Sequence, residues 1–329
     1  MTDHTHTQES TPNCHESGTS PQRRLGLIGC PIGHSLSPAL FREHFASRPD
    51  ILEHWSYDLI ERSTFDEAWK AFLQNYAAVN VTAPFKENAF RAADSHDYSA
   101  LRCRASNLLV KTQNEGVKAY NTDFKAVMEI LRQELQRTTT ANTAEEALEK
   151  VGRNKVLVIG CGGAGKAATA AALEAGMQVS LCNRTASRAQ EFADYLRRYD
   201  PHKCGTVSKI LNLNGYASIS TFEAANIQWT IPPALKIAIY EADTITLTAD
   251  TWQIANIKEA DIIIYTLPCR SDIFTHLLSS APDIFSDKII LEANYKDPVL
   301  ASIPCRRYIS GLTWLRLQAL ATYRIVIGR

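Results

Sequence analysis

Residues 154–184 read NKVLVIGCGGAGKAATAAALEAGMQVSLCNR, and this stretch decides the fold. The apolar run Val156 to Ile159 is short and β-branched, as a buried strand would be. It runs straight into Gly160-Cys161-Gly162-Gly163-Ala164-Gly165, after which an Ala-rich segment has the composition of a helix. A second apolar run ends at Asn183-Arg184-Thr185. Strand, glycine turn, helix and strand in that order form one βαβ unit, which needs a parallel sheet.

The glycine turn has the spacing GxGxxG in the context that gives this pattern meaning. Glycines allow a tight turn and a close approach of backbone to a pyrophosphate. The helix start supplies free N–H groups and the positive end of a dipole. The turn residues Gly160, Gly162, Gly163, Ala164 and Gly165 are therefore candidate dinucleotide contacts. Where an NAD site usually carries an acidic residue, this chain has Asn183-Arg184-Thr185, with Arg188 one helical turn on. A guanidinium there suits a 2′-phosphate through charge-assisted hydrogen bonds. The expected cofactor is NADP.

Outward from this unit, DIIIYTL (261–267) and KIILEANY (288–295) read as further buried strands, residues 186–198 as a helix, and 312–327 as a terminal helix. Residues 201–251 are longer than such a connection requires and are expected to contain an insertion. Toward the N-terminus, RLGLIGCPIG (24–33) reads as a strand and loop. Ser37-Pro38 then opens a helix with Ser37 as the cap. Trp55 to Glu61 alternate like a strand. Phe65, Ala68, Trp69, Phe72 and Leu73 have helical spacing. A strand with a Pro-containing loop (77–86) and a hairpin turning at Asn114-Glu115-Gly116 follow.

The expected architecture is two α/β domains. Residues 23–123 and 312–329 would form an N-terminal α/β substrate domain, and 124–311 a Rossmann-type dinucleotide-binding domain. The polar segment 1–22 lacks an apolar core of the secretory kind and reads as a disordered tail.

A formal net charge of zero gives no overall basic field for nucleic acid or an anionic membrane. No apolar run reaches the length of a transmembrane helix. The eight cysteines form no CxxC pair, so neither zinc nor a disulfide framework is expected, and a cytoplasmic location with reduced thiols fits them. A monomer or a homodimer is consistent with this composition.

Four segments of the first 123 residues carry uncommon polar combinations: His34-Ser35-Leu36-Ser37-Pro38, Asn80-Val81-Thr82-Ala83-Pro84-Phe85-Lys86, Ser106-Asn107-Leu108, and Asn121-Thr122-Asp123. In this order they resemble the HSxSP, NVTxPFK, NT(L/V) and NTD motifs of the shikimate dehydrogenase family. The nucleotide segment is similar to that family's GxGGA…NRTxxRA. The resemblance runs from about Arg24 to the C-terminus. It implies that Lys86 and Asp123 form a catalytic pair. It also implies that Ser35 and Ser37 hold a substrate carboxylate, Thr82, Asn107 and Gln318 hold ring hydroxyls, and Tyr295 stands near the carboxylate. The substrates implied are shikimate and 3-dehydroshikimate.

The chemistry is coherent without the family. Hydride delivery to a ketone leaves an alkoxide that needs a proton. A protonated Lys can donate one, and a neighbouring carboxylate favours and orients the ammonium. Serines flanking a helix start suit an anion.

The chain departs from the family pattern at Cys30, Leu108, Ala119 and Ala126, across Tyr265 to Ser271, and at Trp314, where the family has Met. Two alternatives follow from the departures. One is a quinate or quinate/shikimate dehydrogenase using NAD, against which Arg184 argues. The other is a non-catalytic, ligand-sensing paralogue.

Overall fold

The computed structural model describes residues 23–138, 154–199, 207–212 and 256–328. The expected tail (1–22) and most of the expected insertion lie outside the described residues.

The first sheet is mixed. Its strands are β1 (Arg23–Gly29), β2 (Trp55–Glu61), β3 (Ala78–Val81), β4 (Ser95–His96), β5 (Leu108–Lys111) and β6 (Val117–Tyr120), in the order β2-β1-β3-β5-β6-β4. β1 runs parallel to both β2 and β3, whereas β5 is antiparallel to β3 and to β6. The β5–β6 hairpin turns at Gly116, whose φ of 65° is the left-handed conformation glycine tolerates best.

Helices α1 (Ser37–Ala46), α2 (Pro49–Leu52), α3 (Phe65–Asn75), α4 (Lys86–Ala92) and α5 (Tyr98–Cys103) surround this sheet. α3 starts where Thr64 Oγ1 accepts the Glu67 N–H, and it buries Ala68 and Phe72 completely. Leu73, expected on the same face, is exposed because the apolar stripe is narrower than its spacing suggested. α4 and α5 went unpredicted, since each is too short to show a period.

The second sheet is parallel throughout. β7 (Lys155–Ile159), β8 (Gln178–Asn183), β9 (Val207–Asn212), β10 (Ile262–Tyr265), β11 (Ile289–Glu292) and β12 (Arg307–Ile309) lie in the order β12-β11-β10-β7-β8-β9. Numbered from β7, this is the order 3-2-1-4-5-6 of a doubly wound dinucleotide fold. β7, β10 and β11 are buried from end to end apart from Lys155, so they read as continuous apolar runs rather than alternating ones. β9 falls inside residues 201–251. That stretch therefore supplies an ordinary sheet strand and is not wholly an insertion.

Between the strands lie α7 (Gly163–Glu174), α8 (Ala186–Tyr199) and α9 (Asp272–Ser280). α7 buries Ala167, Ala168, Ala170, Ala171 and Ala172 completely. Small side chains let this helix lie close to both the sheet and the helix behind it.

Two helices cross between the sheets. α6 (Thr122–Thr138) leaves the first and packs on α7, and α10 (Gly311–Val326) returns and packs on α6. The expected domain limits at 123 and 312 fall in the first turns of these helices.

One cap differs from expectation. The residue before α1 is Leu36, and Ser37 is already helical with no capping bond. The Ser37 hydroxyl is paired with that of Ser35, at 3.1 Å. At the start of α6 the Asn121 side chain accepts the Phe124 N–H at 2.9 Å. Asp123, in the first turn, is not the cap.

Candidate functional site

In an open α/β sheet, ligands bind where the strand order reverses, beyond the carboxyl ends of the strands. In the second sheet that point lies between β7 and β10, and in the first between β1 and β3. The loops after all four strands meet in one cavity of about 630 Å³, a volume ordinary for a small-molecule site. It is lined from one side by Ser35, Ser37, Thr82, Lys86 and Asp123, and from the other by Gly162 to Gly165, Thr266 and Pro268. Tyr295, Trp314 and Gln318 close it.

Lys86 opens α4 and Asp123 sits in the first turn of α6. Lys86 Nζ donates to Asp123 Oδ2 at 2.5 Å, and the two side chains are 15 % and 7 % exposed. A pair this close and this shielded interacts far more strongly than a surface salt bridge. The second carboxylate oxygen, Oδ1, accepts the indole N–H of Trp314 at 3.0 Å.

Ser35 Oγ accepts the Ser37 N–H at 3.2 Å, so the two serines form a compact hydroxyl pair on the cavity wall. Gly29 admits Thr82, since a Cβ at that position would lie 2.4 Å from Thr82 Cγ2. Asn107 is not on the wall. It is buried behind Gln318, where its Oδ1 accepts the Thr122 N–H and its Nδ2 donates to Gln318 Oε1 at 2.8 Å. Asn107 occupies the Gln318 carbonyl and leaves the Gln318 amide N–H groups for the cavity.

The glycine turn assigns each glycine a different task. Gly160, at φ 104°, passes under Thr266, whose Oγ1 donates to the Ile159 carbonyl. A Cβ on Gly165 would collide with the Gly160 carbonyl, so this glycine brings α7 against β7. A Cβ on Gly162 would meet nothing within 4 Å and would project into open space. That is the cradle a pyrophosphate requires, and the residues present fit such a group. A Cβ on Gly163 would stand 2.6 Å from Lys86 Cδ, so the lysine stem lies directly on the turn.

Asn183 Oδ1 accepts the Cys161 N–H, and its Nδ2 donates to the Thr185 carbonyl. Asn183 and Thr185 therefore brace the loop rather than line the cavity. Arg184 is exposed and has no ion pair among the described residues. Arg188 lines the cavity and donates to Glu87 Oε1 at 3.1 Å.

Sequence reading missed Glu87, which follows the candidate catalytic lysine. Its carboxylate also meets Lys166 Nζ at 3.0 Å, and so ties α4 to α7 and α8. Burial pushes the Glu87 carboxyl up, but the hydrogen bond and charge of Lys166, with Arg188 and Arg91, outweigh it and leave the group below its ordinary value. The altered segment 265–271 is stapled by Tyr265, whose hydroxyl donates to the Cys269 carbonyl and accepts the Ser271 N–H. Among the described residues no cluster of His, Cys, Asp or Glu could hold a metal ion, and no helix is long and apolar enough to cross a membrane.

Comparison with known proteins gives two family matches that together cover half of the chain. The shikimate dehydrogenase substrate binding domain matches residues 27–109, and shikimate/quinate 5-dehydrogenase matches residues 142–225. A shikimate dehydrogenase (NADP(+)) of Pseudoalteromonas atlantica is 32 % identical over 177 residues, which are 53 % of this chain and 60 % of that protein. The chain thus spans about three fifths of the length of the curated relatives it matches.

Among solved structures, shikimate 5-dehydrogenase from Listeria monocytogenes, in complex with shikimate and NAD, superposes with a TM-score of 0.64 at 18 % identity, covering 93 % of this chain and 92 % of that one. Quinate dehydrogenase from Corynebacterium glutamicum, in complex with NAD, gives a TM-score of 0.64 at 16 % identity, covering 93 % and 94 %. At these identities the likeness speaks for the fold.

Proposed function

The chain belongs to the shikimate dehydrogenase family, and on that premise we propose that it catalyses the reversible NADPH-dependent reduction of 3-dehydroshikimate to shikimate. The observation that carries this reading is the Lys86–Asp123 pair, 2.5 Å apart, on the wall of a cavity whose opposite wall is the glycine turn. Acid–base group and nucleotide cradle face one space, as a ketone reduction requires.

The residues divide the work as follows. Ser35 and Ser37 hold the substrate carboxylate with their paired hydroxyls. Thr82 and Gln318 take ring hydroxyls, and Asn107 fixes the Gln318 carboxamide. Tyr295 closes the carboxylate end. Gly162 to Gly165 and the start of α7 receive the pyrophosphate, and Arg184 with Arg188 receives the 2′-phosphate. NADPH, when bound, supplies the hydride. The Lys86 ammonium donates its proton to the ketone oxygen, which becomes the hydroxyl of the product. The Asp123 carboxylate holds Nζ in line throughout, and acid–base help of this kind contributes about 10²–10⁴ in rate. In the reverse direction the neutral lysine takes the proton back.

The test is a steady-state assay of shikimate and quinate, each with NADP and NAD, followed by reduced-cofactor absorbance. Turnover is expected with shikimate and NADP. Lys86→Ala should lower it by about 10²-fold or more while NADP still binds. Near-native turnover in that variant refutes the mechanism. Preferential turnover of quinate with NAD would establish the other substrate class. Binding of shikimate without any turnover would mark a sensor.

A further inference from the structure

Trp314 stands at an unusual junction. Its indole N–H reaches Asp123 Oδ1 at 3.0 Å in a buried setting, while Lys86 holds Oδ2. Each carboxylate oxygen is therefore fixed by a donor from a different helix: α10 on one side and α4 on the other. Asp123 itself lies in the first turn of α6, and Trp314 in the first turn of α10.

These are the two helices that carry the chain out of the first sheet and back to it. The start of α10 is pressed against the end of β11, since a Cβ on Gly311 would lie 2.5 Å from the Ala293 carbonyl. The indole–carboxylate bond thus spans both crossings at the place where the acid–base pair sits. Trp314 also lines the cavity and is only 3 % exposed, and its bond to Asp123 is buried.

We propose that Trp314 is a positioning residue: its indole N–H holds the Asp123 carboxylate in the rotamer that presents Oδ2 to Lys86. The proposal rests on the reading of Lys86 and Asp123 as the acid–base pair. Without the donor, the carboxylate rotates about its own axis and the ammonium loses its fixed direction. The ring's bulk fills space, but only its N–H sets the angle.

The decisive substitution is site-specific replacement of Trp314 by 3-benzothienylalanine, which keeps the shape of the ring and has no N–H. Trp314→Phe serves as a second, encodable variant. Each should lower kcat about tenfold, the usual effect of removing a hydrogen bond to a charged group, with KM for shikimate and affinity for NADP within about twofold of wild type. In an Asp123→Ala background, which removes the acceptor, the same replacement should add less than a twofold loss. Native kcat in the benzothienyl variant, or a full additional loss in the Asp123→Ala background, overturns the proposal.

A second measurement does not depend on activity. The chain has five tryptophans, and the indole N–H resonance of Trp314 is the one that Trp314→Phe removes. Asp123→Ala should shift this resonance and speed its exchange with solvent. An unchanged resonance overturns the proposal, even if the wild-type protein shows no turnover and the family reading of its activity has failed.

Discussion

Gly163→Ala isolates the contact between the nucleotide turn and the candidate catalytic lysine. The added Cβ would stand 2.6 Å from Lys86 Cδ and 2.9 Å from its Cβ, where ordinary contacts begin near 3.4 Å. The second contact matters most, because a Cβ cannot swing away as a side-chain tip can. The Lys86 Cβ must retreat by about 0.5 Å and its Cδ by about 0.8 Å, or the two lobes must part by as much. Either movement stretches the 2.5 Å bond to Asp123 and displaces the ammonium from the substrate oxygen. Misplacing a reacting group by about 1 Å costs on the order of 10²-fold in rate, so kcat should fall by about that factor. Affinity for NADPH should hardly change, because this Cβ points at the lysine. Gly162→Ala is the matched control: its Cβ enters open space beside the turn, so it should weaken NADPH binding and leave the Lys86 stem untouched. Steady-state kinetics with shikimate, alongside titration of NADPH fluorescence, separates the two effects. A native kcat in Gly163→Ala, or a defect confined to NADPH affinity, would refute the reasoning.

Three further outcomes are expected. The Glu87 carboxyl sits below its ordinary value of 4.5 in the folded protein, so its bridge to Lys166 and Arg188 stabilises fully above that pH and is lost as pH falls through the folded value. The difference in thermal midpoint between wild type and Glu87→Gln should therefore shrink on acidification, and a constant difference would rule this out. Arg184→Ala should raise KM for NADP about tenfold and leave KM for NAD unchanged, since the exposed guanidinium is assigned to the 2′-phosphate alone; equal effects on both cofactors count against the assignment. Among the described thiols, Cys269 is exposed, while burial pushes Cys161 up to about 11 and Cys182 up to about 12. Of these thiols, a reagent at neutral pH should label Cys269 before Cys161 and Cys182, and peptide mapping that finds Cys161 modified ahead of Cys269 would contradict this.

The parts of the site legible in the sequence are those whose signal is local. The glycine turn announces itself because strand, turn and helix are contiguous, and Lys86 and Asp123 stand in short polar motifs flanked by apolar strands. Ser37 was misjudged as a cap because the sequence does not say which of two neighbouring serines the helix will include. The hydrogen bond from Asn107 to Gln318 is not legible in the sequence, because the two residues stand more than two hundred positions apart. Glu87 was invisible as a bridge because its partners Lys166 and Arg188 belong to the other lobe.

The sequence by itself determined the doubly wound half and the phosphate-binding turn, since each depends on residue type and spacing within some thirty positions, while the acid–base candidates were marked by the resemblance of their short motifs to the shikimate dehydrogenase family. Only the tertiary structure decided that the ammonium and carboxylate meet, that the lysine stem lies on Gly163, and that an indole N–H takes the remaining carboxylate oxygen. The reason is physical. Those distances arise from the crossing of α6 and α10 between two sheets, and the packing that sets a crossing is shared among residues far apart in the chain.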